Sequence, residues 1–140
     1  MVLYVFIPGE VAWCQIPPNL EITGVQFQDS SGNSILEPGE KAWITVYFKN
    51  VGMQAASHVS VRLVPAIEFS SVMYNDRIDL ETWAMPGYEY WVRFVVMANT
   101  NVPDQAVSLR VIVENPFGFF VPEWQVNFNT RSAATLGNVH

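Results

Sequence analysis

Apolar and polar residues alternate along most of this chain. In residues 41–50, Ala42, Ile44, Val46 and Phe48 take one set of alternate positions, and Trp43, Thr45, Tyr47 and Lys49 take the other. Residues 58–64 set Val59, Val61 and Leu63 against His58, Ser60 and Arg62. Residues 106–115 set Val107, Leu109, Val111 and Val113 against Ser108, Arg110, Ile112 and Glu114, and residues 123–130 set Trp124, Val126 and Phe128 against Glu123, Gln125, Asn127 and Asn129. Successive side chains leave opposite sides of an extended backbone, so a period of two predicts strands with one face in a core. No long segment carries apolar residues at helical spacing.

Three further strands are less regular. Across residues 20–28 the phase slips: Leu20 and Ile22 alternate together, then Val25 and Phe27 resume one residue later. A bulge at Gly24 would return the apolar residues to the inner face. Residues 77–83 predict a weaker strand with Ile78 and Leu80 inward. Residues 88–97 place Tyr90, Val92, Phe94 and Val96 on one side and Trp91, Val95 and Met97 around Arg93 on the other, a pattern expected of a strand covered on both faces. Segments rich in Gly, Pro, Asn and Asp separate these strands: DSSGN at 29–33, EPGE at 37–40, MPG at 85–87 and NPFG at 115–118. About seven strands with such punctuation predict an all-β chain: an immunoglobulin-like, two-sheet antiparallel β-sandwich, with a closed barrel as the alternative.

Composition narrows the class. With 140 residues, 50% hydrophobic and 14% charged, the chain suits one packed domain, and disorder is excluded. Seven basic against 13 acidic residues give a net charge of −6. The cations are scattered, so nucleic acid is not an expected partner, because phosphate affinity depends on clustered Lys and Arg. The single cysteine, Cys14, excludes an internal disulfide and a thiolate-rich zinc site. No apolar run reaches the ~18–20 residues that span a bilayer.

Residues 1–18 admit two readings. As a truncated export signal, they have an apolar region near 2–7 and small residues, Ala12 and Cys14, before a cleavage point. A basic segment is lacking, and Pro8-Gly9-Glu10 breaks the apolar run. As an N-terminal arm, residues 2–7 form a strand. The expected organisation is therefore residues 1–18 as signal or arm, 19–131 as the sandwich and 132–140 as a tail.

The run Leu20-Glu21-Ile22, Asp29-Ser30-Ser31-Gly32-Asn33, Leu36-Glu37-Pro38-Gly39-Glu40 and Val46-Tyr47-Phe48-Lys49-Asn50-Val51-Gly52 resembles immunoglobulin-like modules of bacterial extracytoplasmic proteins. The likeness is to CARDB-like (cell-adhesion-related) domains and to the β-sandwiches attached to caspase-like peptidases. There, a D-x-x-G-N … L-x-P-G-E turn precedes a strand ending K-N-x-G. Met85-Pro86-Gly87-Tyr88 stands where a second P-G-E turn would lie, with Tyr88 in place of the acid, and residues 113–130 resemble the last hairpin. The resemblance spans residues 20–131. It implies an exported, non-catalytic accessory module for spacing, adhesion or contact with a neighbouring domain or surface protein. None of the peptidase machinery is present in the matched region.

Two clusters carry candidate chemistry. Asp29, Asn33, Glu37 and Glu40 offer oxygens of the kind Ca²⁺ takes, with Asp29 and Glu40 at the first and twelfth positions as in an EF-hand loop, but without its central glycine or flanking helices. As a structural turn, the same residues would bond their own backbone and need no metal or other cofactor. Trp43, Tyr47, Trp83, Tyr88 and Trp91 fall outside the inferred core positions. They are candidate contact residues for a protein partner or, if the chain is a carbohydrate-binding module, for a glycan. The alternative to both is burial under loops or the N-terminal arm. An enzyme is not expected: His58 and His140 are the only histidines, and no nucleophile elbow, paired zinc histidines or phosphate loop occurs.

Overall fold

A computed structural model describes residues 2–7, 10–15, 18–66, 71–115 and 122–134, the first two stretches by backbone alone. In chain order the strands are β1 (Val2–Ile7), β2 (Glu10–Gln15), β3 (Leu20–Asp29), β4 (Ile35–Leu36), β5 (Lys41–Asn50), β6 (Ser60–Pro65), β7 (Val72–Tyr74), β8 (Arg77–Asp79), β9 (Glu89–Ala98), β10 (Gln105–Glu114) and β11 (Glu123–Thr130). β1 and β2 pair antiparallel into a two-stranded sheet of their own. The other strands form two sheets, ordered β3-β5-β9-β7 and β4-β11-β10-β6-β8. The segments β3-β5-β9-β7 and β6-β10-β11 follow the ABED and CFG order of an immunoglobulin sandwich.

Nine strands, not seven, make up the sandwich among the described residues. The two added strands are β4 and β7, whose two and three residues are too short for alternation to reveal. β4 lies parallel to β11, with Ile35 opposite Asn129 and Leu36 opposite Thr130, so the chain leaves one sheet after β3 and touches the other before β5. The strand expected over 77–83 shrinks to β8, because Leu80 and Ala84 bond across to Val59 and Ala56 as isolated backbone contacts. His58 is not on a strand: β6 starts at Ser60, and His58 holds a left-handed φ of 56° at the surface. Residues 116–121, the tip of the expected last hairpin, and residues 135–140 of the expected tail lie outside the described residues.

The bulge is where the phase slip put it. Ile22 pairs with Phe48 and Gly24 with Tyr47, leaving Thr23 as the extra residue. Leu20 and Phe27 therefore both face inward, and Phe27 stacks on Phe128 of the opposite sheet at 4.6 Å. The core between the sheets is built from the alternating residues: Ile44, Val46 and Phe48 of β5, Val92, Phe94 and Val96 of β9, Val61 and Leu63 of β6, and Leu109, Val111 and Val113 of β10. Burial of these side chains removes the apolar area that drives the two layers together.

Candidate interaction face

The two outer faces differ. On the five-stranded sheet, Arg62 bonds Glu114 at 3.1 Å, Arg110 lies 3.7 Å from Glu123, and Gln125 donates to Ser108 at 2.6 Å. Ile112, on this outer side of β10, is nonetheless buried, since its strand neighbours are Arg62 and Glu123. Long charged side chains cover such a residue with their apolar stems. Apart from Ile112, Val64 and Ala106, the outward residues of β6, β10 and β11 are polar or charged.

Across the four-stranded sheet, register places the outward residues of β5 and β9 in rows: Lys41 with Met97, Trp43 with Val95, Thr45 with Arg93, Tyr47 with Trp91, and Lys49 with Glu89. Trp91 is 58% exposed and Val95 43%, so β9 is covered on its inner side only, and the expected second cover is absent. Trp43 and Tyr47 are half-buried beside them. The Arg93 guanidinium lies 5.3 Å over the Trp91 ring, and its Nε donates to Thr45 Oγ1 at 3.2 Å. This cation–π contact and hydrogen bond hold a cation in the middle of an aromatic surface and bury Thr45 beneath it. A Cβ at Gly24 would sit 4.0 Å from the Tyr47 ring, an ordinary contact, so Tyr47 does not require the glycine. Thr23, extruded by the bulge, donates to Glu89 Oε2 at 2.9 Å and draws that carboxylate across β5.

Trp83 and Tyr88 do not join this face. They sit in residues 80–88 at the end of the sandwich, 60% and 66% exposed. Tyr90 anchors that segment: its hydroxyl accepts from Met85 N at 2.8 Å and donates to Trp83 O at 3.2 Å, while its ring stacks on Phe48. Asn50 ties the same end together. Its side-chain oxygen accepts from Asn19 N and Gly52 N, and its amide donates to Gln54 O and Ala84 O. A cleft of about 450 Å³ opens there, lined by Lys49, Val51, Met53 and Pro86. The K-N-x-G motif is thus the buried knot of this end, a role visible only once residues far apart in sequence are brought together.

The acidic turn is closed by its own donors. Asp29 accepts from Ser34 N and Ser31 Oγ, Asn33 accepts from Ile35 N and donates to Glu37 Oε1, and Glu40 accepts from Glu37 N, Ser30 Oγ and Ser31 N. Burial works to raise the Asp29 pKa, but the bonds from Ser31 and the loop backbone outweigh it and hold the carboxyl below its ordinary value. Gly39 turns with a φ of 75°. Among the described residues, no three His, Cys, Asp or Glu side chains gather as metal ligands. Ser60 donates to Asp79 at 2.8 Å and accepts from Arg77, while His58 stands apart at the surface. Among the described residues, no helix is long and apolar enough to cross a membrane.

No family model and no curated protein matches the chain. Solved structures do. The chain is similar to Escherichia coli α2-macroglobulin spanning domain MG7 to the C-terminus, at 12% identity and a TM-score of 0.55 over 86% of this chain and 18% of that one. It is also similar to AvmM, which catalyses macrocyclization in alchivemycin A biosynthesis, at 11% identity and a TM-score of 0.52 over 94% and 96% of the two chains. A conjugative transposon lipoprotein of Bacteroides eggerthii shares 18% identity over 80% and 96%, with a TM-score of 0.45. Likeness at such identities extends to the fold: this chain is an immunoglobulin-like β-sandwich of two packed sheets.

Proposed function

We propose that the chain is a non-catalytic accessory module of an exported or cell-envelope protein, a spacer that docks a neighbouring protein domain through the outer face of β3-β5-β9-β7. The observation supporting this is the asymmetry between the outer faces. One is laced with ion pairs, while the other presents Trp91, Tyr47, Trp43 and Val95 around a single stacked arginine. Aromatic residues and arginine are the types enriched where proteins meet. The resemblance to CARDB-like domains supports the same role. Arg93 over the Trp91 ring favours protein over sugar as the ligand, since stacking on a sugar needs a free ring face.

The test is site-specific photocrosslinking in the producing cells, with the photoreactive residue at position 91 or, as a control, at position 110. Capture of an envelope polypeptide from position 91 and not from 110 is the expected result. Equal capture from both, or none from position 91, removes the docking reading. Titration with a polysaccharide panel, read by tryptophan fluorescence, is expected to stay flat. A saturable change lost in Trp91→Ser would instead make the chain a carbohydrate-binding module.

A further inference from the structure

We infer that the partner on this face is a second copy of the same chain, seated about a twofold axis that runs along the strands between β5 and β9. The inference rests on the docking reading above and deepens it by naming the occupant. Rotation about such an axis places β5 of one copy over β9 of the other and leaves every row at its own level. Each outward residue of β5 then meets the residue that is already its cross-strand neighbour, supplied by the other copy. Lys49 faces the partner's Glu89, Tyr47 faces the partner's Trp91, Thr45 faces the partner's Arg93, and Trp43 faces the partner's Val95.

Charge selects this arrangement. Lys49 enters none of the ion pairs among the described residues, and Glu89 is held by the neutral Thr23 hydroxyl. Both charges are therefore available to a partner, and the twofold pairs each with its opposite twice. The other face-to-face twofold, with its axis across the strands, lays each strand on its own copy. It would set Lys49 over the partner's Lys41 and Arg93 over the partner's Arg93, juxtaposing like charges at the apolar centre. A self-complementary patch of this kind is what an isologous dimer requires. Three strands about 4.8 Å apart and nine residues at about 3.3 Å each span roughly 14 by 30 Å, with the three residues of β7 added at one edge. Even with side-chain relief, that lies below the ~800 Å² per partner of standard interfaces, in the size class of weak, reversible association.

The experiment is sedimentation velocity on the full chain, from about 1 to 200 μM, with native mass spectrometry of mixtures. Wild type is expected to dimerise. Lys49→Glu and Glu89→Lys, each checked for an unchanged circular dichroism spectrum, are expected to weaken the dimer at least about tenfold, because each sets like charges together at two symmetric contacts. Mixed in equal amounts, the two variants are expected to form a heterodimer, since both contacts then pair opposite charges. A wild-type chain monomeric at about 200 μM, a dimer indifferent to both substitutions, or a mixture that stays monomeric overturns the inference. Should wild type be monomeric while position 91 still captures another polypeptide, the second copy is refuted and the docking reading stands.

Discussion

Asn50 concentrates more stability than its place at a strand end suggests. Its carboxamide has two acceptor sites and two donor hydrogens, and all four are used: Asn19 N at 3.2 Å, Gly52 N at 2.9 Å, Gln54 O at 2.7 Å and Ala84 O at 2.8 Å. The residue is 0% exposed. In Asn50→Ala, Gly52 N loses its partner in a buried position, at about 1–3 kcal/mol. Ala84 O loses one of two bonds, at about 1 kcal/mol, since it still accepts from Ala56 N. Asn19 N and Gln54 O lie where water can replace the amide. The expected loss is about 2–4 kcal/mol, a large share of the ~5–15 kcal/mol that holds a domain together.

Asn50→Asp separates hydrogen bonding from shape. The introduced carboxylate keeps both acceptor contacts but points a second oxygen at two carbonyls from a buried position. Its folded-state pKa is therefore raised above the unfolded value of about 3.9. Stability of this variant is fully present below that value and falls as pH rises through the folded pKa, so it should be worse than Asn50→Ala at pH 8 and recover toward pH 4. Urea unfolding read by tryptophan fluorescence measures both variants. A loss below about 1 kcal/mol for Asn50→Ala, or an Asn50→Asp stability that tracks wild type across pH, refutes the four-bond account.

Other parts of the fold make separate predictions. The depressed pKa of Asp29 gives stability that is present above its unfolded value and lost as pH falls through the lower folded one. Asp29→Asn should therefore be less stable than wild type at pH 6 and show less of its acid loss below about pH 4; parallel acid profiles from urea titrations would contradict this. Tyr90→Phe removes the bonds to Met85 N and Trp83 O at an exposed position and should cost about 1 kcal/mol, read as a fall in Tm of ~3 °C. Phe94→Ala empties a fully buried site and should cost about 3–5 kcal/mol by denaturant melt, and a loss under 1 kcal/mol would mean that Phe94 is not in the core.

Alternation made the long strands legible because their burial is one-sided. The bounds of β5 and β11 match the pattern, and β9 and β10 differ from it by one residue at each end. The bulge beside Gly24 could be read because the slip changes which residues are apolar, a signal that survives without coordinates. β4 and β7 could not be read, since two or three residues hold no period and their place is set by pairing with β11 and β9. His58 fits the alternation through Val59 and Val61, but the left-handed turn before β6 takes it out of the strand. Composition cannot tell a covered aromatic face from an open one, so the pattern over 88–97 predicts a second cover while Trp91 is also a candidate contact residue. Trp43, Tyr47 and Trp91 share one face, as their spacing implies; Trp83 and Tyr88 part from them because Tyr90 ties residues 80–88 to the sandwich end.

The brief contact of β4 with β11 bears on how such a domain responds to tension. β3 starts at the Asn50 end, and β11 finishes at the opposite end beside Leu36, so a pull between Asn19 and Arg131 runs along the strands. Force along parallel neighbours must shear their hydrogen bonds together instead of unzipping them one by one. The β4 clamp holds two register pairs, Ile35 with Asn129 and Leu36 with Thr130, whereas β3 grips β5 along nearly its whole length. Stretching should therefore first part β4 from β11 and loosen residues 30–40, with no gain in end-to-end length until β3 is sheared from β5.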